Sequence, residues 1–297
     1  MKKLFILLFI LVTHFAFSQS LRLGVYQYAD NPRIKNLQPL ADHLQQQLGI
    51  TASIKSYPDV PAFIEAIQKG EVDVAFINTF GYLLLEASSK RYPMQPKVAL
   101  TVPHAEDNYK TTFVARAQSP LQRFSDVAAL GSQTRLGLVA VGSTSGNLVP
   151  RLALTRQGVV NAEQHFQSVT YTGTHANAIQ ALLNNEVDIA AMGSSEYTKL
   201  DSVTKEQLRP LWISTEIPLG PVLFHKKLSK PLQQQLEQAF VTIHEKSPEV
   251  LESIKAAWSE AKQATHFNPI TKDNYAPFLI QFGSYKSIQT ILVQFAN

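Results

Sequence analysis

The stretch Gly142-Ser143-Thr144-Ser145-Gly146 stands between an apolar run, Arg135 to Val141, and a helix-forming one, Asn147 to Gln157. Two glycines allow a tight turn, three hydroxyls supply donors, and a helix starting there adds free amides and the positive end of its dipole. Such a turn can hold an oxyanion; it can equally be a polar turn in which Ser145 caps the helix. A second turn of the same kind, Tyr171-Thr172-Gly173-Thr174-His175, follows a short strand pattern and opens another helix. Thr174 can cap that helix, and His175 lies in its first turn, where the dipole disfavours a protonated imidazole until an anion arrives. A lone histidine is more often structural, but two hydroxyl-rich helix starts at two strand ends favour the binding reading.

These turns need a frame, and the sequence spells one out twice. EVDVAFINTFGY, residues 71–82, returns 115 residues later as EVDIAAMGSSEY, residues 186–197. The copies agree at Glu71/Glu186, Val72/Val187, Asp73/Asp188, Ala75/Ala190 and Tyr82/Tyr197. The spacing is too long for a solenoid period and predicts two similar halves. In the first, Leu21 to Tyr26, Ile50 to Ser56 and Val72 to Ile77 read as strands, and Leu37 to Leu48 and Pro61 to Gln68 as helices stopped near Gly49 and Gly70. In the second, Arg135 to Val141, Ser168 to Tyr171 and Val187 to Met192 read as strands, and Asn147 to Gln157 and Ala176 to Leu183 as helices. Alternating strands and helices imply parallel pairing with right-handed crossovers, an α/β sheet in each half.

Further along, Leu211 to Ser214 and Val222 to His225 read as strands, Lys230 to His244 and Pro248 to Lys262 as amphipathic helices, and Tyr275 to Phe295 as helical in two pieces. These are too few to stand alone and should pack onto the first half. The chain would then cross between lobes near Thr101 to Tyr109 and near Thr215 to Pro221. The expected division is residues 19–104 with 217–297 as one lobe and 105–216 as the other. Two crossings make a hinge with a cleft, and ligands of open α/β sheets sit at the carboxyl ends of strands. Asn78-Thr79-Phe80 and Gly193-Ser194-Ser195 should therefore face each other, with Thr79 and Tyr82 at the first lobe's strand end; their other readings are helix cap and core aromatic.

Composition sets the surroundings. Met1-Lys2-Lys3, the run LFILLFILV and Ala16-Phe17-Ser18 read as a cleavable secretory leader over residues 1–18, too short to span a bilayer, or as an anchor if uncut. There is no cysteine, hence no disulfide and no thiol for lipid attachment. This favours the periplasm. Of the net charge of +4, Lys2 and Lys3 supply two, leaving +2 without the leader. The basic residues are scattered, which argues against nucleic acid and suits a small anion. No G-x-S-x-G, H-E-x-x-H or Walker loop is present, GSTSG lacks the lysine of a phosphate loop, and the histidines show no metal-ligand spacing, so neither an enzyme nor a cofactor is expected.

The stretches GSTSGNLVPRLALTRQG, YTGTHANAIQALLNNEVDIAA and EVDVAFINTFGY, with Tyr109 ahead of TTFVARAQSPLQRFSDVAALG and the later ISTEIPLGPVLFHKKL, resemble the phosphate/phosphite/phosphonate family of periplasmic substrate-binding proteins, PhnD-like components of ABC transporters. The resemblance runs over the whole chain after the leader. It implies an α/β, two-lobed type II periplasmic-binding fold with the ligand cleft between lobes, an oxyanion as cargo and an ABC permease as partner; a monomer is expected. Its anion-holding positions fall on Ser143, Thr144, Ser145, Thr174 and His175, with Thr79 and Tyr109 closing from the other side and Tyr26, Tyr28 and Tyr82 shaping the pocket. Members that take aminoalkyl phosphonates carry an acid just after the second repeated strand, where this chain has Gly193-Ser194, so simple oxyanions are expected unless Glu196 reaches in. The competing reading is a binding protein that presents its closed form to a membrane sensor kinase.

Overall fold

A computed structural model describes residues 20–29, 31–283 and 285–293; the expected leader lies outside them. No helix among the described residues is long and apolar enough to cross a membrane. The strands are β1 (Ser20–Tyr26), β2 (Thr51–Tyr57), β3 (Val74–Phe76), β4 (Met94–Thr101), β5 (Thr111–Arg116), β6 (Arg135–Leu138), β7 (Ser168–Tyr171), β8 (Ile189–Gly193), β9 (Leu208–Ile213), β10 (Pro221–His225) and β11 (His266–Pro269). They form two sheets, in the orders β11-β4-β10-β3-β1-β2 and β7-β6-β8-β5-β9. Within them β1 is parallel to β2 and β3, and β6 is parallel to β7 and β8, as strand–helix alternation requires. The sheets are nonetheless mixed: β10 runs antiparallel between β3 and β4, and β5 between β8 and β9. The chain passes from one sheet to the other over residues 102–110 and back over residues 214–220.

Read from β2 and from β7, the two sheets follow one plan, and the repeated phrase supplies β3 and β8 at the same place in each. Its aspartate has a structural task. The Arg22 side chain donates to Asp73 at 2.9 and 3.0 Å and the Arg22 amide adds a third bond at 3.0 Å, with the Lys227 ammonium 2.9 Å away. In the other sheet the Arg135 amide, Nε and Nη2 each donate to Asp188 at 2.9 Å, and Arg116 completes the cluster. Each aspartate thus ties the entry of the first parallel strand to that of the repeated one, at the end of the sheet away from the hydroxyl-rich turns.

Burial pushes the Asp73 carboxyl up, but the bonds from Arg22 and Lys227 outweigh it and hold it at about 2. The Arg135 bonds, against burial, hold Asp188 at about 2 as well. A depressed folded value gives stability that is complete above the unfolded carboxylate range and is lost as pH falls through the folded value. After discounting for solvent screening, each aspartate should contribute roughly 1–2 kcal/mol at neutral pH. Urea melts of the protein and of an Asp73→Asn/Asp188→Asn variant should differ by that sum at pH 7 and converge near pH 2; a constant gap would count against the clamp.

One face of the first sheet is covered by the helices Arg33–Leu48, Lys230–Lys246 and Pro248–Ala256, through Leu37, Leu40, Leu44, Phe240 and Ile254. Each such side chain is worth about 1.5–3 kcal/mol when fully buried. The other face carries the helices Val60–Gln68, Thr79–Ala87 and Tyr285–Val293. The same apolar cluster takes in Leu148, Val149 and Leu152, which belong to the chain between the crossings, so the halves share a seam of core behind the cleft. The helix expected to run from Pro248 to Lys262 ends at Ala256. Trp258 turns extended (φ −135°, ψ 106°) so that its indole can stack on Phe76 at 5.8 Å.

Candidate functional site

Between the sheets lies a cavity of about 810 Å³, into which the Ser143-Thr144-Ser145 turn, His175 and Gly193 project from one side and Tyr26, Tyr28, Arg33 and Asn78 from the other. Tyr109 and Lys110, on the first crossing, also line it. The turn continues into residues Thr144–Leu148, wound as a single π-turn, and then into the helix Val149–Arg156. Its cap is Ser143, not Ser145: the Ser143 hydroxyl accepts the Gly146 amide at 3.0 Å. The Thr144 hydroxyl accepts the Phe80 amide of the other lobe at 3.1 Å. Both hydroxyls act as acceptors in these bonds, so neither bond consumes the hydroxyl's own proton. Capping and anion binding are therefore compatible in the same residues.

The turn is held from behind. Thr111 donates its hydroxyl to the Ser145 carbonyl at 2.8 Å, and Asn147 donates to the Val141 carbonyl at 2.7 Å. Asn147 is itself fixed by Arg151 Nε at 2.7 Å, and Arg151 by Glu163 at 3.0 Å. Both glycines are required by close approach: a Cβ on Gly146 would lie 2.3 Å from a Val139 methyl, and one on Gly142 would lie 2.7 Å from Val60 of the other lobe.

His175 Nδ1 accepts the Gly193 amide at 3.0 Å. A ring nitrogen that accepts carries no proton, so the proton of the neutral imidazole is on Nε2. Burial, with Lys199 adding to it against Glu196, pushes the ring down to about 4. At neutral pH His175 is thus an uncharged donor in the cleft, beside Ser145, whose Oγ flanks the same Gly193.

Tyr109 places its hydroxyl beside those of Thr79 and Thr144, and burial raises it well above the usual tyrosine value. The other expected residues differ in place. Thr79 is fully buried and donates to the Pro218 carbonyl at 2.5 Å, behind the cleft wall; the cap of its helix is Asn78. Asn78 also reaches across to the Gly142 carbonyl at 2.8 Å, while Phe80 is buried. Tyr82, expected to shape the pocket, is 1% exposed and packs on Tyr275 in the core, because only Glu86 of its helix escapes burial. Thr174 caps its helix through the Asn177 amide at 3.1 Å and does not line the cavity. Tyr26 is the floor beneath Arg33, whose guanidinium lies 4.2 Å from its ring centre.

Arg33 and Glu260 line the cleft without having been singled out in the sequence. Arg33 opens a helix, where the dipole disfavours a cation. That misplacement is a readable signal; Glu260 offers none. Among the described residues no group of three or more His, Asp or Glu side chains is arranged to hold a metal ion.

A model of the family described as "ABC transporter, phosphonate, periplasmic substrate-binding protein" matches residues 23–275. The chain belongs to that family. The phosphonates-binding periplasmic protein of Escherichia coli K12 is 25% identical over 238 residues, 78% of this chain and 69% of that one. In the phosphate-import protein PhnD of Mycolicibacterium smegmatis, also 25% identical, the match covers 60% of this chain and 55% of the relative. PhnD1 of Prochlorococcus marinus, solved in complex with methylphosphonate, superposes with a TM-score of 0.68 at 15% identity, over 90% of this chain and 97% of that one. These likenesses bear out the α/β two-lobed type II fold.

Gly193, where the resemblance leads us to look for an acid, stands at the end of β8 beside His175 and Ser145. A Cβ there would meet His175 and Ser145 Oγ at 3.8 Å, an ordinary contact, so an acid could be accommodated. Gly193→Asp should fold normally yet weaken binding of a simple oxyanion at least about tenfold, by placing like charge beside it. Calorimetric titration checks this, and undiminished affinity would place the anion elsewhere.

Proposed function

We propose that this chain captures a small phosphorus oxyanion, of the phosphate, phosphite or alkylphosphonate class, in its interlobe cleft and hands it to the permease of an ABC importer. The observation that carries the reading is the convergence of uncharged donor groups on one cavity: the hydroxyls of Ser143 and Thr144, the latter beside the Tyr109 hydroxyl, and the Nε2–H of His175. Oriented neutral donors in a poorly hydrated site stabilise an anion without a fixed counter-charge. Ser145 and Tyr109 complete the set, with Tyr26 as support, and Thr79 and Thr174 act from behind it by holding Pro218 and the helix start. Residues 19–104 with 217–297 and residues 105–216 form the two closing lobes. Closure adds contacts across the cleft and so selects the liganded state.

A thermal-shift screen of the purified protein against phosphate, phosphite, methylphosphonate, sulfate and small carboxylates tests the capture step. A ligand at 100 times its dissociation constant should add about 2.7 kcal/mol, a rise of several degrees. Silence towards every phosphorus oxyanion would sink the reading. Delivery is tested by uptake of the responding ligand in cells with and without the permease.

A further inference from the structure

The first-lobe wall facing the Ser143–Ser145 turn carries an acid that no base pairs with. Of the acids lining the cleft, Asp59 caps a helix by accepting the Ala62 amide at 2.8 Å, Glu196 pairs with Lys199 at 3.0 Å, and Glu252 pairs with Lys255 at 2.6 Å. Glu106 and Asp107 are exposed. Glu260 is half-buried in the turn Ser259–Ala261, and among the described residues it takes part in no ion pair. Its hydrogen bonds come from its own amide and the Ser259 hydroxyl, and burial pushes its carboxyl up.

The cation that acts on it, Arg33, is committed elsewhere. Arg33 donates to the Ala257 carbonyl at 2.9 Å and the Tyr26 carbonyl at 3.0 Å, and is enclosed by the rings of Tyr26, Trp258 and Tyr28. The field of Glu260 reaches Tyr28 and also Tyr109, whose hydroxyl adjoins Thr144 in the turn. On the same wall the Tyr28 hydroxyl is buried with no partner. A carboxylate in this position repels a fully ionised ligand and rewards one that offers it a proton.

We propose that Glu260 is a specificity residue that accepts a hydrogen bond from a donor the ligand carries beside its oxygens, on the first-lobe side of the cleft. The donor is either the acid proton of the phosphorus oxyanion itself or an ammonium on a short alkyl arm. Both are absent from a simple sulfonate, which is ionised and proton-free at neutral pH. The inference rests on the oxyanion site proposed above and names what that site discriminates.

Calorimetric titration of the full chain at pH 7 tests it, with methylphosphonate against methanesulfonate, and aminoethylphosphonate against ethylphosphonate. The unaltered protein should prefer the donor-bearing member of at least one pair by about tenfold, the effect of about 1.4 kcal/mol from one charged hydrogen bond. Glu260→Gln and Glu260→Ala should reduce that preference to about threefold or less. Collapse in the first pair assigns the acid proton, and collapse in the second assigns the ammonium. Glu260 has no ion pair to lose, so melting temperatures should hold; Glu260→Asp, which keeps the charge and withdraws it by one methylene, provides a second folded variant. Preferences unchanged in folded variants overturn the role of Glu260 and leave the oxyanion site standing. If the unaltered protein binds none of the four, both readings fall.

Discussion

Replacing Gly220 with alanine should cost the fold about 3 kcal/mol or more and abolish ligand binding, the largest loss we expect from one methyl group. An added Cβ would lie 2.0 Å from the Ile77 carbonyl oxygen and 2.6 Å from Asn78 Cα, backbone atoms that cannot step aside. The site is critical because the second crossing is pinned there: Thr79 donates to Pro218, Tyr275 donates to the Leu219 carbonyl at 2.9 Å, and the Ile217 amide bonds the Tyr109 carbonyl of the first crossing at 3.0 Å. Displacing residue 220 disturbs the second crossing together with the strand end at Asn78, which bonds the Gly142 carbonyl of the proposed site. Gly49→Ala is the comparison, since Gly49 has φ +67° with open space around it. There only the left-handed backbone is strained, and about 1 kcal/mol should be lost. Equal losses at the two positions in urea denaturation would refute the steric argument.

His175→Ala should weaken oxyanion binding by about 1.5–3 kcal/mol, some ten- to a hundredfold, because a hydrogen bond to a charged ligand disappears from a dry site. The pH behaviour is the sharper test. The ring titrates at about 4 in the free protein, so it is neutral from pH 6 to 8 and the ratio of wild-type to variant affinity should be flat there. A bound anion favours the protonated ring and raises its pKa, so the ratio should widen as pH falls towards that range. Taking a ratio cancels the titration of the ligand itself. A ratio that narrows in acid would mean that Nε2 accepts from the ligand instead of donating to it.

How much of this was legible in the sequence depended on how local each signal is. The hydroxyl-rich turn and its place at a strand end could be read because strand end, hydroxyls and helix start are consecutive residues. The repeated phrase correctly pointed to two like halves, and its copies occupy equivalent strands. The work of its aspartates could not be read, because Arg22 and Arg135 stand 51 and 53 residues away and become neighbours only through parallel pairing. Sequence symmetry also misled. Tyr82 and Tyr197 are equivalent in the phrase, yet the helix Thr79–Ala87 is buried under the C-terminal helices while no residue of Ser194–Thr198 is buried. Arg33 and Glu260 come to line the same cavity only after the chain has crossed between lobes and returned.

The seam of core behind the cleft has a mechanical consequence. Leu148, Val149 and Leu152, just past the Ser143–Ser145 turn, share one apolar cluster with Phe278, Ile288 and Ile291, so a rotation of one lobe against the other would pivot close to that turn. Displacement grows with distance from a fulcrum, so the parts of the cleft wall away from this seam would travel further than the turn. On the reading proposed here, the Ser143–Ser145 turn therefore moves little as the jaws swing, and the swing is left to register how much molecule hangs from the anion.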